Sequence, residues 1–214
     1  MSDITDMSIY GFLARFKRGI ARPNRYRVEF FLPSGIPQSV AGTVGVNSDA
    51  LHENIRQRQN EFNSDGSINV KCHSATFPQR SLMTYEHKQN SAPFRLPYTS
   101  TYDPVTFSFY ADSDLDTRDY FDIWQACVMN FGSNTVNFYD EYVSDVHIWQ
   151  VDLYGNDTYG VQLIEAYPMN IGSFDVSYSN NDSYQTTSVT LAYKSWLPLR
   201  YTGAVGINRS KGAP

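Results

Sequence analysis

Cysteine is scarce in this 214-residue sequence: Cys72 and Cys127 are the only two, far apart and in no CxxC pattern. A structural zinc site needs more ligands at closer spacing, so the pair is read as two separate buried thiols. Charge is also sparse. Only 18% of residues are charged, and 22 acids against 17 bases give a net charge of −5. That balance excludes a general nucleic-acid binder that neutralises phosphates with a basic face. No run of about 18 apolar residues occurs, so no membrane-spanning helix is expected. The opening Met-Ser-Asp-Ile-Thr-Asp-Met is acidic and lacks the apolar core of a secretory leader, so a cytoplasmic protein is expected. The sequons at Asn156, Asn181 and Asn208 are then chance matches.

Motifs for chemistry are missing as well. The four histidines, His52, His73, His87 and His147, form neither HExxH nor a close His-x-His pair. The run Asp112, Asp114, Asp116 opens like a calcium loop, but Thr117 and Ile123 stand where that loop needs Gly and a bidentate Glu. No GxSxG, P-loop or GxGxxG is present. Asp140, Glu141 and Asp145 cluster near aromatics that could stack on a sugar, which keeps a carbohydrate-binding β-sandwich as an alternative. A single-strand nucleic-acid reader would have the aromatics but not the basic sheet face. No catalytic residue, metal or cofactor is expected, and the protein is not read as an enzyme.

What the sequence does have is aromatic side chains: 16 Tyr and 13 Phe, within 41% hydrophobic residues. These favour pleated surfaces and provide for a real core. Residues 8–20 carry Ile9, Phe12, Leu13 and Phe16 at helical spacing, predicting a short amphipathic arm. Alternation predicts strands at 25–32, 67–77 and 105–111, the last with Val105, Phe107 and Phe109 on one side. The polar stretch 34–67 reads as an inserted loop. Residues 81–88 could pair with later strand-like residues, and the Pro-containing stretch after them is an extended excursion. Ser113 to Asp116 fits a capping box. The helix that follows has Tyr120, Ile123, Trp124, Cys127 and Val128 as its stripe and stops at Gly132. Only strands are expected beyond it, at 146–154, 159–167, 173–179 and 186–196. They form two hairpins, turning at Gly155-Asn156-Asp157 and at Asn180-Asn181-Asp182. The chain after Trp196 reads as a loose tail, 197–214. The expected fold is a mainly β single domain, an antiparallel β-sandwich or partly closed barrel with one flanking α-helix.

Four segments together resemble the tail tube protein family of contractile bacteriophages, which includes paralogous baseplate rings. They are ARPNRYRVEF (21–30), VKCHSATFP (70–78), YFDIWQACV (120–128) and EAYPMNIGSFDVSYSNNDSYQTTSVTLAY (165–193). The resemblance implies a structural virion protein, assembled in the host cytoplasm. It implies hexameric rings that stack into an inner tail tube, with sheath, baseplate and terminator proteins as partners. Viral DNA would pass without specific binding, and no membrane insertion is implied. By the same correspondence, residues 79–103 would reach the neighbouring ring, with Tyr85, His87, Phe94, Arg95 and Tyr98 as contacts. The polar faces of the late strands would line the lumen with Asp175, Ser177, Ser179, Thr186, Ser188 and Thr190. A baseplate tube initiator or a terminal ring is the nearest alternative.

Overall fold

The computed structural model describes residues 20–31, 33, 71–88, 93–130, 134–179 and 184–200. The predicted helical arm at 8–20 (except Ile20), the inserted loop at 34–67, the stop at Gly132 and the turn at Asn180-Asn181-Asp182 lie outside them. In chain order the elements are β1 Tyr26–Phe30, β2 Cys72–Ala75, β3 Arg80–His87, β4 Phe94–Tyr102 and β5 Val105–Tyr110. Then come α1 Asp116–Val128, β6 Met129–Asn130, β7 Thr135–Val136 and α2 Tyr139–Tyr142. Last are β8 Ser144–Val151, β9 Asp157–Ile171, β10 Thr186–Ala192 and β11 Ser195–Arg200. The fold is mainly β and antiparallel throughout, as the alternation predicts.

The strands follow the order β1-β8-β9-β10-β5-β2, with β11 also paired to β9. The 15-residue β9 serves two sheets. Its first part lies between β8 and β11, and its last residues pair with β10. Between these parts stands Glu165, at φ 53. A non-glycine residue in the left-handed region costs roughly 1–2 kcal/mol, so neighbouring contacts must hold it there. Asp145 Oδ1 accepts the Glu165 N–H at 3.3 Å. The Glu165 carboxylate accepts from Lys194 Nζ at 2.8 Å and from Tyr139 Oη at 2.9 Å. The Lys194 N–H in turn donates to the Ile164 carbonyl at 3.1 Å, at the junction between β10 and β11. Both long antiparallel partners therefore bend at one place. The free sides of β1 and β2 are bridged by Tyr26 Oη, which donates to the Cys72 carbonyl at 2.8 Å, giving a partly closed barrel.

The alternating residues of both sheets meet inside. Val28, Val146, Ile148, Val161 and Leu163 are buried from one sheet; Val105, Phe107, Phe109, Val189 and Leu191 come from the other. Phe30 holds Phe107 edge-on at 5.2 Å and Phe121 of α1 edge-on at 5.8 Å. Burying a side chain of this size contributes roughly 1.5–3 kcal/mol, so this core carries the domain. Trp124 fastens α1 by donating Nε1–H to the Tyr142 carbonyl at 2.8 Å.

Several local expectations are corrected. The predicted capping box does not form: Leu115 occupies the N-cap position at φ 55, with no side-chain cap, and its carbonyl accepts from Arg118 and Asp119. The buried stripe of α1 is Thr117, Tyr120, Phe121, Trp124 and Cys127, so Phe121 takes the central place read for Ile123. The helix ends at Val128, where Asn137 ties back its last turn through Cys127 and Val128 carbonyls. The short α2 follows where only strands were expected. The first late hairpin, β8–β9, forms as predicted around Gly155 at φ +85. The second does not: 173–179 is not a strand, and β10 pairs with β9 and β5 instead. Pairing also continues past Trp196, because β11 runs to Arg200 along β9.

Two stability tests follow. The Trp149 ring lies across Gly160, where an added Cβ would fall 2.3–2.7 Å from three ring atoms. Gly160→Val should therefore lower unfolding free energy by about 2 kcal/mol through overpacking, read from denaturant midpoints. At the corner, the hydrogen bond from Lys194 lowers the Glu165 carboxyl below its ordinary value of 4.5. A lowered folded value means the contribution is present above that pH and lost as pH falls through it. Both side chains are partly exposed, so Glu165→Gln should cost less than about 1 kcal/mol at pH 7. It should also flatten the loss of stability below pH 4.5, checked by thermal melts across that range.

Candidate assembly surfaces

The β3–β4 hairpin leaves the barrel at the end where β2 finishes and β5 begins. Its strands pair with each other over their whole length. Arg80 anchors the base, with its guanidinium 4.3 Å from the Trp196 ring and a hydrogen bond to the Trp196 carbonyl at 3.0 Å. Tyr193 Oη adds a bond to the Asp103 carbonyl at 2.8 Å. Beyond that base the hairpin offers apolar groups to solvent: Leu82 is 64% exposed and Tyr98 62%, with Met83, Tyr85 and Phe94 close to half. Nine strand residues at about 3.4 Å each give it a reach of roughly 30 Å. The structure brings the predicted contact residues together in cross-strand sets: Tyr85 with Tyr98 at 6.2 Å, His87 with Phe94 at 5.3 Å, and Arg95 with Glu86 at 3.7 Å. Leu82 and Met83 were missed. Their residue types read as a buried strand, and only the absence of a covering layer reveals them.

The residues predicted for a lumen divide into two groups. Thr186, Ser188 and Thr190 stand on the side of β10 opposite the buried Thr187, Val189 and Leu191. Their partners on β5 are Tyr110, Ser108 and Thr106, and the Thr106 and Thr190 hydroxyls lie 3.3 Å apart. Neither β5 nor β10 contains a charged residue, so this outer face is a field of hydroxyls. It ends in rings, with Tyr110 4.7 Å from His73 and 6.2 Å from Tyr184. Asp175, Ser177 and Ser179 are exposed and belong to the irregular segment between β9 and β10 rather than to a strand of this sheet.

The outer face of the other sheet is ionic. Arg27 Nη2 lies 2.7 Å from Asp157 and 3.1 Å from Glu29, and His147 Nδ1 is 3.4 Å from Glu29. The hydrogen bond from His147 is the main reason the Glu29 carboxyl is lowered. Arg27 and Glu29 lie on β1, and His147 of β8 and Asp157 of β9 extend the network across the sheet. Burial pushes both thiols up to about 12, so Cys72 and Cys127 are protonated packing groups at neutral pH. Among the described residues, no group of three or more His, Cys, Asp or Glu could hold a metal ion. Asp140, Glu141 and Asp145 do not form a facing pair: the first two are in α2, while Asp145 bonds Gln162 and the Glu165 amide. The surfaces are suited to pairing and packing.

Similarity to known proteins agrees with this geometry. No curated protein sequence matches the chain. One similar solved structure is the sheath-tube complex of an extracellular contractile injection system, PVC, in the extended state. It has a TM-score of 0.54 at 13% identity, covering 91% of this chain and 99% of that one. Another is the sheath/tube terminator of the same system, with TM-score 0.54 and 14% identity, covering 84% of this chain and 96% of that one. At such identities the likeness is one of fold. The family model described as phage tail tube protein matches residues 21–198, and the chain belongs to that family.

Proposed function

We propose that this protein is the structural subunit of the inner tail tube of a contractile phage tail. Six copies form a ring, rings stack, and DNA passes through the lumen. The observation that carries this reading is the β3–β4 hairpin, an ordered two-stranded element whose apolar side chains its own domain leaves uncovered. Uncovered apolar strands of this length are an aggregation hazard unless a partner covers them. Tyr85, His87, Phe94, Arg95 and Tyr98 are the proposed contacts with the next ring.

Thr186, Ser188 and Thr190, with Thr106 and Ser108, are the proposed lumen surface. Binding to duplex DNA gains most of its strength from cations that displace counterions from phosphate. A face without charge offers no such gain, so DNA slides without being held. The ionic opposite sheet then faces outward, where a sheath would lie. Tail sheath, baseplate and terminator proteins are the proposed further partners, and the virion tail is the proposed location. The likeness to a terminator structure at the same TM-score favours a terminal ring as the second reading.

Negative-stain electron microscopy of the purified protein across a concentration series tests the proposal. Long hollow tubes are expected, and Tyr98→Asp should stop elongation while leaving the monomer's melting temperature unchanged. Rings that never elongate at any concentration would establish the terminal-ring reading instead. Normal elongation by Tyr98→Asp would remove the hairpin from the axial contact.

A further inference from the structure

The hairpin needs a receiving surface, and the fold places a suitable one at the opposite pole. Strand β5 runs from Val105, beside the hairpin base, to Tyr110, about 17 Å away. At the Tyr110 end the chain enters α1, and β9 ends and β10 begins at the same end. The Ala111 N–H donates to the Gln185 carbonyl at 2.9 Å, and the Gly172 N–H to the Ser188 carbonyl. Copies stacked head to tail bring one copy's hairpin to the next copy's β9–β10 segment.

That segment has the pattern of a strand without a strand's partner. Phe174, Val176 and Tyr178 alternate with Asp175, Ser177 and Ser179, yet residues 173–179 join no ladder among the described residues. Its start is fixed on α1 by Arg118, whose guanidinium sits 5.0 Å from the Phe174 ring and bonds the Gly172 carbonyl at 3.1 Å. Beyond this anchor Val176 is 83% exposed and Tyr178 fully so. The run ends in a turn at Tyr178 and Ser179, where the Ser179 N–H bonds the Ser177 hydroxyl at 3.3 Å; two such side chains shown to water gain nothing until a partner covers them.

We propose that residues 173–179 are the receiving strand for the β3–β4 hairpin of a second copy of this chain. The proposal rests on the reading of that hairpin as the axial contact. Backbone pairing extends the two-stranded hairpin to three strands, in the manner of strand addition to an exposed edge. Val176 and Tyr178 cover the apolar hairpin residues, and an aromatic in such a place is a frequent anchor of binding energy. Charge agrees: the hairpin's far end carries Lys88 and Arg95 with Glu86, and the Tyr110 end carries Asp175, Asp112, Asp114 and Asp116 against Lys71, which pairs with Asp112, and Arg118, which stacks on Phe174. Opposite fields fix polarity as well as attraction, because two like ends repel.

Charge exchange tests this on the full-length protein, read as the concentration for half-assembly in sedimentation. Arg95→Asp and Asp175→Arg should each raise it at least tenfold, and the double variant should return to within about threefold of the original. If Arg95→Asp impairs assembly but Asp175→Arg does not, the receiving strand lies elsewhere and the hairpin reading survives. If neither impairs assembly, both readings fall. A Phe94→Cys/Tyr178→Cys variant gives an independent readout, since the native thiols are buried. A short bis-maleimide should produce an intermolecular ladder that needs both new cysteines. No ladder under assembling conditions would overturn the proposal.

Discussion

The left-handed turn at Glu165 lets one strand belong to two sheets, and the remaining architecture depends on it. A straight β9 would give a single open layer with one face of Phe, Val and Leu in water. Bending at Glu165 folds that layer on itself, so that β5 and β10 meet β1 and β8 across a shared core. The backbone cost of the turn, on the order of 1–2 kcal/mol, is offset by the amide bond to Asp145 and the pairing with Lys194 and Tyr139. The same bend carries β11 along β9 and sets Trp196 under Arg80, which fixes where the hairpin leaves. Corner, core and hairpin are thus one mechanical chain.

This arrangement gives the molecule an axis. One sheet exposes an uncharged hydroxyl face, the other a network of polar and charged side chains around Arg27 and Glu29, the hairpin projects from one end, and Phe174 to Tyr178 lie at the other. In the proposed assembly, heterologous contacts between distinct ends and sides close into rings around one axis and stay open along it. Membership of the tail tube family fits such a design.

Much of this was legible in the residues. The strict alternation of Val105, Phe107 and Phe109, and of Thr187, Val189 and Leu191, encodes a buried face directly, because a strand's side chains change sides at every step. The Gly155 turn was legible for the same local reason. The misses share a different cause: they depend on contacts between distant segments. Leu115 takes the cap because its backbone, not Ser113, closes the first turn. Ser173 to Ser179 has a strand's pattern, but a pattern records what a segment can pair with, not whether its own chain supplies the partner. Glu165 gave no signal, since its left-handed φ is held by Asp145 of β8, Tyr139 of α2 and Lys194 of the β10–β11 junction. The hairpin's sequence showed extended chain, while its lack of cover became visible only in three dimensions.

Hydrogen–deuterium exchange on the protein before and after assembly is the most direct measurement of the central claim, that a self-sufficient corner-bent barrel carries assembly elements left uncovered. Amides of β5, β8, β9 and β10 should be protected in both states, because their ladders are complete within one chain. Those on the outer sides of β3 and β4, and those of 173–179, should exchange quickly in the monomer and become protected only in the assembly. Protection of the hairpin and the segment in the monomer, unchanged on assembly, would contradict the account.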